Sequence, residues 1–337
     1  MPVAVRSVER ILAIALLLSL PGCGDDDGAG GASDADADSD TDADSDGDAD
    51  TDSDADSDAD SDSDPGAALV GSWGQLAANA MLTDTGIALL GQQWSASRAW
   101  QLVEITSDGA GNLTLTETPC LAKVKTGGGA LSPAMEIPQN TIDHMPATER
   151  HVTLTSSEAG TPFVSDTVYS MRGANPCDPE NDPLPAGPVD ANDSTSCDQA
   201  CGIYQCDQDE DGHPGITSHM SAAGVVDCDV YVAVRGWSAL TGEIADADTI
   251  SGAIGDHGSE QEVLAATQAL CANADATVAD DGCAAHSYFK MARLATGATC
   301  ADVLALTDCD DDAATCDTND ALALDPNDDT QGGAECE

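Results

Sequence analysis

Three carboxylates alternate through Asp207-Gln208-Asp209-Glu210-Asp211, and Gly212-His213 follow directly. Read as a loop, Asp207, Asp209 and Asp211 take its first, third and fifth places. Gly212 permits a sharp turn, and the carbonyl of His213 can serve as a further ligand. Such a set of oxygen donors suits a hard cation, Ca²⁺ above all, held for structure rather than catalysis. Asp227 and Asp229, on either side of Cys228, are the nearest carboxylates able to complete the shell. The competing reading is a solvated acidic turn, because the chain carries 62 Asp+Glu. Asp308, Asp310 and Asp312 repeat the spacing without a following glycine.

The Asp207 loop resembles the Ca²⁺ loops of EF-hands, dockerins and thrombospondin-type repeats. It departs from the EF-hand at Ser218, where a bidentate Glu would stand. Pro214 and Gly215 also oppose an exiting helix. A non-EF loop is therefore expected. The 6 His are dispersed, and the chain lacks HExxH, GxSxG and Walker motifs. Asp143-His144 and Asp256-His257 read as surface turns. The expectation is a non-catalytic protein, with a secreted hydrolase the less favoured reading.

Cysteine usage bears on where such a loop would work. Arg6 and Arg10 precede an apolar run, Ile11 to Leu20, that is too short to span a bilayer. Leu20-Pro21-Gly22-Cys23 then resembles the lipobox of bacterial lipoproteins, with Pro21 in place of the usual small residue. The resemblance implies a signal peptide over 1–22, acylation of Cys23, and a membrane partner reached through that anchor. Gly24 leans, by the same likeness, toward the outer membrane. Of 13 Cys, 12 remain: Cys120, Cys177, Cys197, Cys201, Cys206, Cys228, Cys271, Cys283, Cys300, Cys309, Cys316 and Cys336. Export favours pairing them as disulfides, with connectivity left open. Cys197, Cys201 and Cys206 also admit a metal-ligand reading, but the paired zinc-knuckle spacing is missing.

Residues 23–65 form the stalk. Every even position from Asp34 to Asp64 is Asp, alternating with Ala, Ser, Thr and one Gly. A strand would place these like charges on one face and bury nothing, so an extended, disordered spacer is expected. Fully stretched, residues 25–65 would reach about 140 Å. The alternation resembles the Ser-Asp stalks of bacterial surface adhesins. With 10 Lys+Arg and a formal net charge of −52, a nucleic-acid partner is excluded.

Residues 66–337 are expected to be mainly β: a disulfide-rich antiparallel barrel or sandwich with few short helices. Short alternating runs support this at Leu69 to Trp73, Trp100 to Thr106, Leu113 to Thr116, His151 to Thr155, Phe163 to Met171, Val230 to Gly236 and Ser287 to Leu294. Asp108 to Asn112 reads as a hairpin turn. Ser259-x-x-Glu262 resembles a capping box and predicts a helix over Val263 to Cys271. Cys300 to Leu306 reads as a short helix. The Pro- and Asp-rich stretch Asn175 to Ser196 is either a boundary between two subdomains or a long loop within one barrel. Gly71-Ser72-Trp73 resembles the GxW that opens lipocalin-like barrels, where Trp closes the floor.

The whole resembles bacterial lipoproteins that join an acidic spacer to a Cys-rich extracellular β domain. That likeness implies a cell-envelope protein presenting its β domain to a surface or extracellular ligand, for binding or adhesion. The alternative is a lipocalin-like carrier of a small apolar ligand.

Overall fold

The computed structural model describes residues 64–84, 92–127, 134–202, 205–222, 226–269, 271–272, 277–280 and 286–306. The expected signal peptide over 1–22, Cys23, the acidic stretch up to residue 63, Cys283, Cys309, Cys316, Cys336 and the Asp308–Asp312 motif lie outside them.

Among the described residues a 3₁₀ turn, Ala67–Leu69, leads into twelve strands. The first three form a long meander: β1 (Gly71–Asp84), β2 (Gln92–Ser107) and β3 (Asn112–Gly127). The expected turn between β2 and β3 is built by Asp108, whose carboxylate accepts from the backbone of Ala110 and Asn112. After β4 (Ala134–Glu136) comes a short helix, α1 (Gln139–Asp143). There follow β5 (Thr148–Thr153), β6 (Pro162–Val164), β7 (Val168–Arg172) and β8 (Ile216–Ala222). The longest strands, β9 (Val226–Asp246) and β10 (Thr249–Ala266), pair as a hairpin. The set is completed by β11 (Thr277–Asp280), β12 (Tyr288–Arg293) and a helix, α2 (Cys300–Ala305).

All strand pairs are antiparallel, and they close. The hydrogen-bonded order runs β10–β12–β1–β2–β3–β4–β8–β9, and β9 pairs back onto β10. Closure makes this a barrel rather than a sandwich and, among the described residues, leaves no long edge. The partners of β3 and β9 are piecewise. β5 covers one end of β3 and β4 the other, while β6, β7 and β8 share the length of β9.

Alternation sorts the side chains. One end of the interior is apolar, with Trp73, Val103, Ile105, Leu113, Leu115, Phe163, Leu240, Ile250 and Phe289 buried together. Trp73 is fully buried and donates from Nε1 to the Leu69 carbonyl at 2.9 Å. Arg293 covers it, with its guanidinium 4.3 Å from the ring centroid and bonds to the Val70 and Ala68 carbonyls. This is how Gly71-Ser72-Trp73 closes one end. A second apolar cluster fills the opposite end, with Ile137, Ile142 and Met145 from β4, α1 and their flanks joining Ile216, Val230 and Val232. Between them lies polar material. Arg150 pairs with Glu117 at 3.1 Å, both almost fully buried, and also bonds to Ser165 and Ser238. Gln75 donates to Gln101 at 2.7 Å across β1 and β2.

Among the described residues four disulfides staple the barrel: Cys120–Cys300, Cys177–Cys201, Cys197–Cys206 and Cys228–Cys271. All three cysteines of the suggested metal-ligand set are thus in disulfides. These bridges match an oxidising compartment such as the periplasm or exterior. Among the described residues no helix is long and apolar enough to cross a membrane.

Two expectations change. Val263 to Cys271 is not a helix. Through Ala266 it continues β10, because fifteen paired positions on β9 satisfy its backbone. Val263 lies opposite Val232, and the capping-box pattern at Ser259 is overridden by tertiary pairing. The run from Phe163 to Met171 breaks into β6 and β7, with Ser165 and Asp166 diverted to bond Arg150 and His151. Asn175 to Ser196 is a loop within one barrel, since strands on both sides of it share the closed sheet. Leu184 and Val189 pack it against the outer face at Ala233 and Leu264.

Candidate metal centre

The Asp207 loop is pinched at its neck. Cys206 is bonded to Cys197, Gly215 N donates to the Cys206 carbonyl at 2.8 Å, and Gln208 N donates to the Gly215 carbonyl at 3.0 Å. Within that neck the backbone must reverse sharply. Glu210 takes φ 55° and Gly212 φ 90°. The left-handed turn expected of Gly212 is therefore present.

The turn gathers the three carboxylates. One oxygen from each of Asp207, Asp209 and Asp211 lies within 4.8 Å of the others. Asp207 accepts from Asp211 N at 3.1 Å and from Gly212 N at 2.9 Å. Asp211 accepts from His213 N at 2.9 Å and from the Thr217 hydroxyl at 2.6 Å. Asp209 is the distinctive member. It is 1% exposed, and its Oδ2 accepts from the Thr141 hydroxyl at 2.7 Å and Thr217 N at 2.8 Å. Its Oδ1 is buried with no hydrogen-bond partner. Burial raises the Asp209 pKa, against the lowering bonds from Thr141 and Thr217, with the nearby Asp211 charge adding to the rise. A buried carboxylate oxygen without a donor costs free energy unless a cation or proton meets it. The residues fit a hard cation: all the side-chain donors are oxygen, two of the three carboxylates are buried, and the third faces solvent.

Of the other expected ligands, His213 is one through its carbonyl, and its ring has partners of its own, while Asp227 and Asp229 go elsewhere. The His213 ring stacks on Tyr231 at 4.3 Å and bonds the Ala191 carbonyl through Nδ1. Asp227 and Asp229 do not join the triad. They sit on β9 across from β8 and bracket His219, with Asp229 at 2.9 Å from Nδ1 and Asp227 at 3.3 Å from Nε2. The bond to Asp229 leads the causes that raise the His219 pKa, burial opposing it. Strand alternation explains the displacement: residues 227 and 229 share the outer face of β9, where cross-strand His219 lies.

Sequence reasoning missed Asn140, Thr141 and Thr217. Asn140 donates to the Asp209 carbonyl at 2.6 Å and, with Thr141, ties the loop to α1. Thr217 is close enough in sequence to be found from the loop pattern. Nothing local marks Asn140 and Thr141, which the fold brings from a distant segment. His144 of the same helical turn lies 3.8 Å from Glu210, and its pKa is raised chiefly by its bond to the Asn140 carbonyl. Comparison with known proteins finds no family model, no curated protein and no solved structure that matches this chain.

Proposed function

We propose that the chain is a lipid-anchored cell-envelope protein in which the acidic spacer carries a non-catalytic, Ca²⁺-stabilised β-barrel for binding or adhesion. The observation that carries this reading is the Asp209 oxygen, buried without a donor beside Asp207 and Asp211. Oxygen-only sites of modest charge suit the millimolar Ca²⁺ met by extracellular modules. The four disulfides agree with that environment. The Leu20-Pro21-Gly22-Cys23 pattern and the Asp34–Asp64 alternation supply the anchor and the reach. Two or more acyl chains would make attachment stable, whereas one alone binds marginally.

A barrel middle occupied by the Arg150–Glu117 pair and the Gln75–Gln101 pair favours presentation of an outer surface over carriage of a large apolar ligand inside. The test is intact-mass analysis of membrane-extracted protein together with protease shaving of whole cells. Acylated mature chain beginning at Cys23 and cleaved only within the spacer supports the reading. A lipid-free chain in the culture fluid refutes it.

A further inference from the structure

We propose that the outer face of β7, β9 and β10 binds a neutral, β-linked glucoside through the aromatic pair Tyr169 and Trp237. This names a ligand for the binding domain inferred above and rests on that reading, and it does not depend on the cation loop.

Strand register places the residues. Across β7, β9 and β10, one row of outward side chains is Met171, Arg235 and Glu260, and the next is Tyr169, Trp237 and Gly258. Leu184 and Val189 of the loop after β7 cover Met171 and Ala233 on this same face. Tyr169 and Trp237, farther along the strands, stay half-exposed. Their rings form an offset pair, with centroids 6.2 Å apart and planes 29° apart. Trp237 also lies across Gly258, where a Cβ would run into the six-membered part of the indole. Glycine there lets the indole rest against the sheet and turn its other face to solvent.

The rim offers both donors and acceptors. On one side Arg235 donates from Nη1 to the exposed Glu260 at 3.1 Å. Arg235 is 9% exposed, and its Nε and Nη2 are buried with no hydrogen-bond partner. On the other side the strand pairing slips between Gly255 and Gly258, and Asp256 turns at φ 41°. Its exposed carboxylate accepts from the Thr167 hydroxyl at 2.8 Å. Burial first, then the charges of Glu180 and Asp256, raise the Tyr169 pKa, so carboxylates surround that ring's polar tip.

A sugar answers each of these features. The C–H face of its ring packs on an aromatic face, and its hydroxyls donate to carboxylates and accept from a guanidinium. A hydroxyl reaching Arg235 would meet donors that have no partner. β-Linked glucose carries its hydroxyls equatorially, which leaves the flattest C–H face for stacking. A cation would face Arg235 and leave its buried donors unmet. An anion would face Glu260, Asp256 and Glu180 within a chain of net charge −52.

The experiment titrates cellohexaose, hexagalacturonate and hexalysine into the full-length Cys23→Ser chain in millimolar Ca²⁺, by calorimetry and amide chemical shifts. Cellohexaose should bind about tenfold more tightly than either charged probe, with shifts centred on β7, β9 and β10. Trp237→Ala should weaken cellohexaose about tenfold, and Trp237→Phe, which keeps a ring over Gly258, should weaken it less. Asp256→Asn, at an exposed position whose φ asparagine tolerates, should weaken it about threefold with the parent's melting temperature. If Trp237→Ala does not fold, the Trp237→Phe and Asp256→Asn results decide. No binding at millimolar cellohexaose, tighter binding of either charged probe, shifts centred elsewhere, or parental affinity in the folded variants would overturn the proposal. Such a failure alongside an acylated chain cleaved only within the spacer would remove this ligand and leave the envelope reading standing.

Discussion

Among single residues, charges held away from water set the strongest constraints. Arg150 and Glu117 are nearly inaccessible, and each is the other's counter-charge. Glu117→Leu alone strands the guanidinium and should cost about 3–5 kcal/mol in urea unfolding. The double change Glu117→Leu with Arg150→Met should recover much of that loss, because a well-packed apolar pair removes the desolvation penalty. His219 gives a pH dependence. Its folded pKa lies above the ordinary value, first because of Asp229. A raised base stabilises the fold fully below its unfolded pKa and loses that contribution as pH rises through the folded value. Wild type should therefore lose stability relative to His219→Gln between slightly acid and alkaline pH, read from melts at low salt. A constant difference across that window would show that the Asp227 and Asp229 contacts carry no linkage.

At the scale of elements, glycine and disulfide placement decides what the strands can do. Gly242 and Gly252 face each other across the β9–β10 hairpin, where a Cβ on either would meet backbone at under 2.5 Å. Their neighbours Phe163 and Phe289 pair across the space so left, with ring centroids 6.3 Å apart. Gly252→Ala should destabilise by about 1–3 kcal/mol through overpacking, measurable as a lower urea midpoint. Cys120–Cys300 ties α2 to β3 over a sequence separation of 180. Replacing both cysteines with serine should cost about 2–5 kcal/mol and release α2 first, seen as early hydrogen exchange at Val303. Much of this was legible beforehand. Alternation at Trp100 to Thr106 and Val230 to Gly236 marks β2 and β9, and Asp108 to Asn112 marks the turn from β2 into β3. The true lengths were not, because glycines and serines in β9 and β10 carry no strand preference and are held by pairing alone. The capping pattern at Ser259 misled for the same reason. Of the candidate site, Asp207, Asp209, Asp211 and Gly212 were readable from spacing. Asn140 and Thr141 were not, since only the packing of α1 brings them to the loop.

Across the whole molecule, the distribution of charge and the cation loop belong together. The chain carries 62 Asp+Glu against 10 Lys+Arg, and self-repulsion of that size opposes compactness. Divalent cations relieve it where carboxylates are gathered, and the one gathered triad among the described residues is Asp207, Asp209 and Asp211. Because Asp209 also holds Thr141 and Asn140, a cation there would brace α1 over the apolar end formed by Ile142 and Met145. Ligand binding to the folded state stabilises by mass action. The decisive measurement is the melting temperature of the full-length chain and of Asp209→Asn, each in chelator and across a Ca²⁺ titration. The predicted result is a wild-type melt that climbs with Ca²⁺ concentration while the Asp209→Asn melt stays flat. A wild-type melt identical in chelator and in millimolar Ca²⁺ would contradict the account.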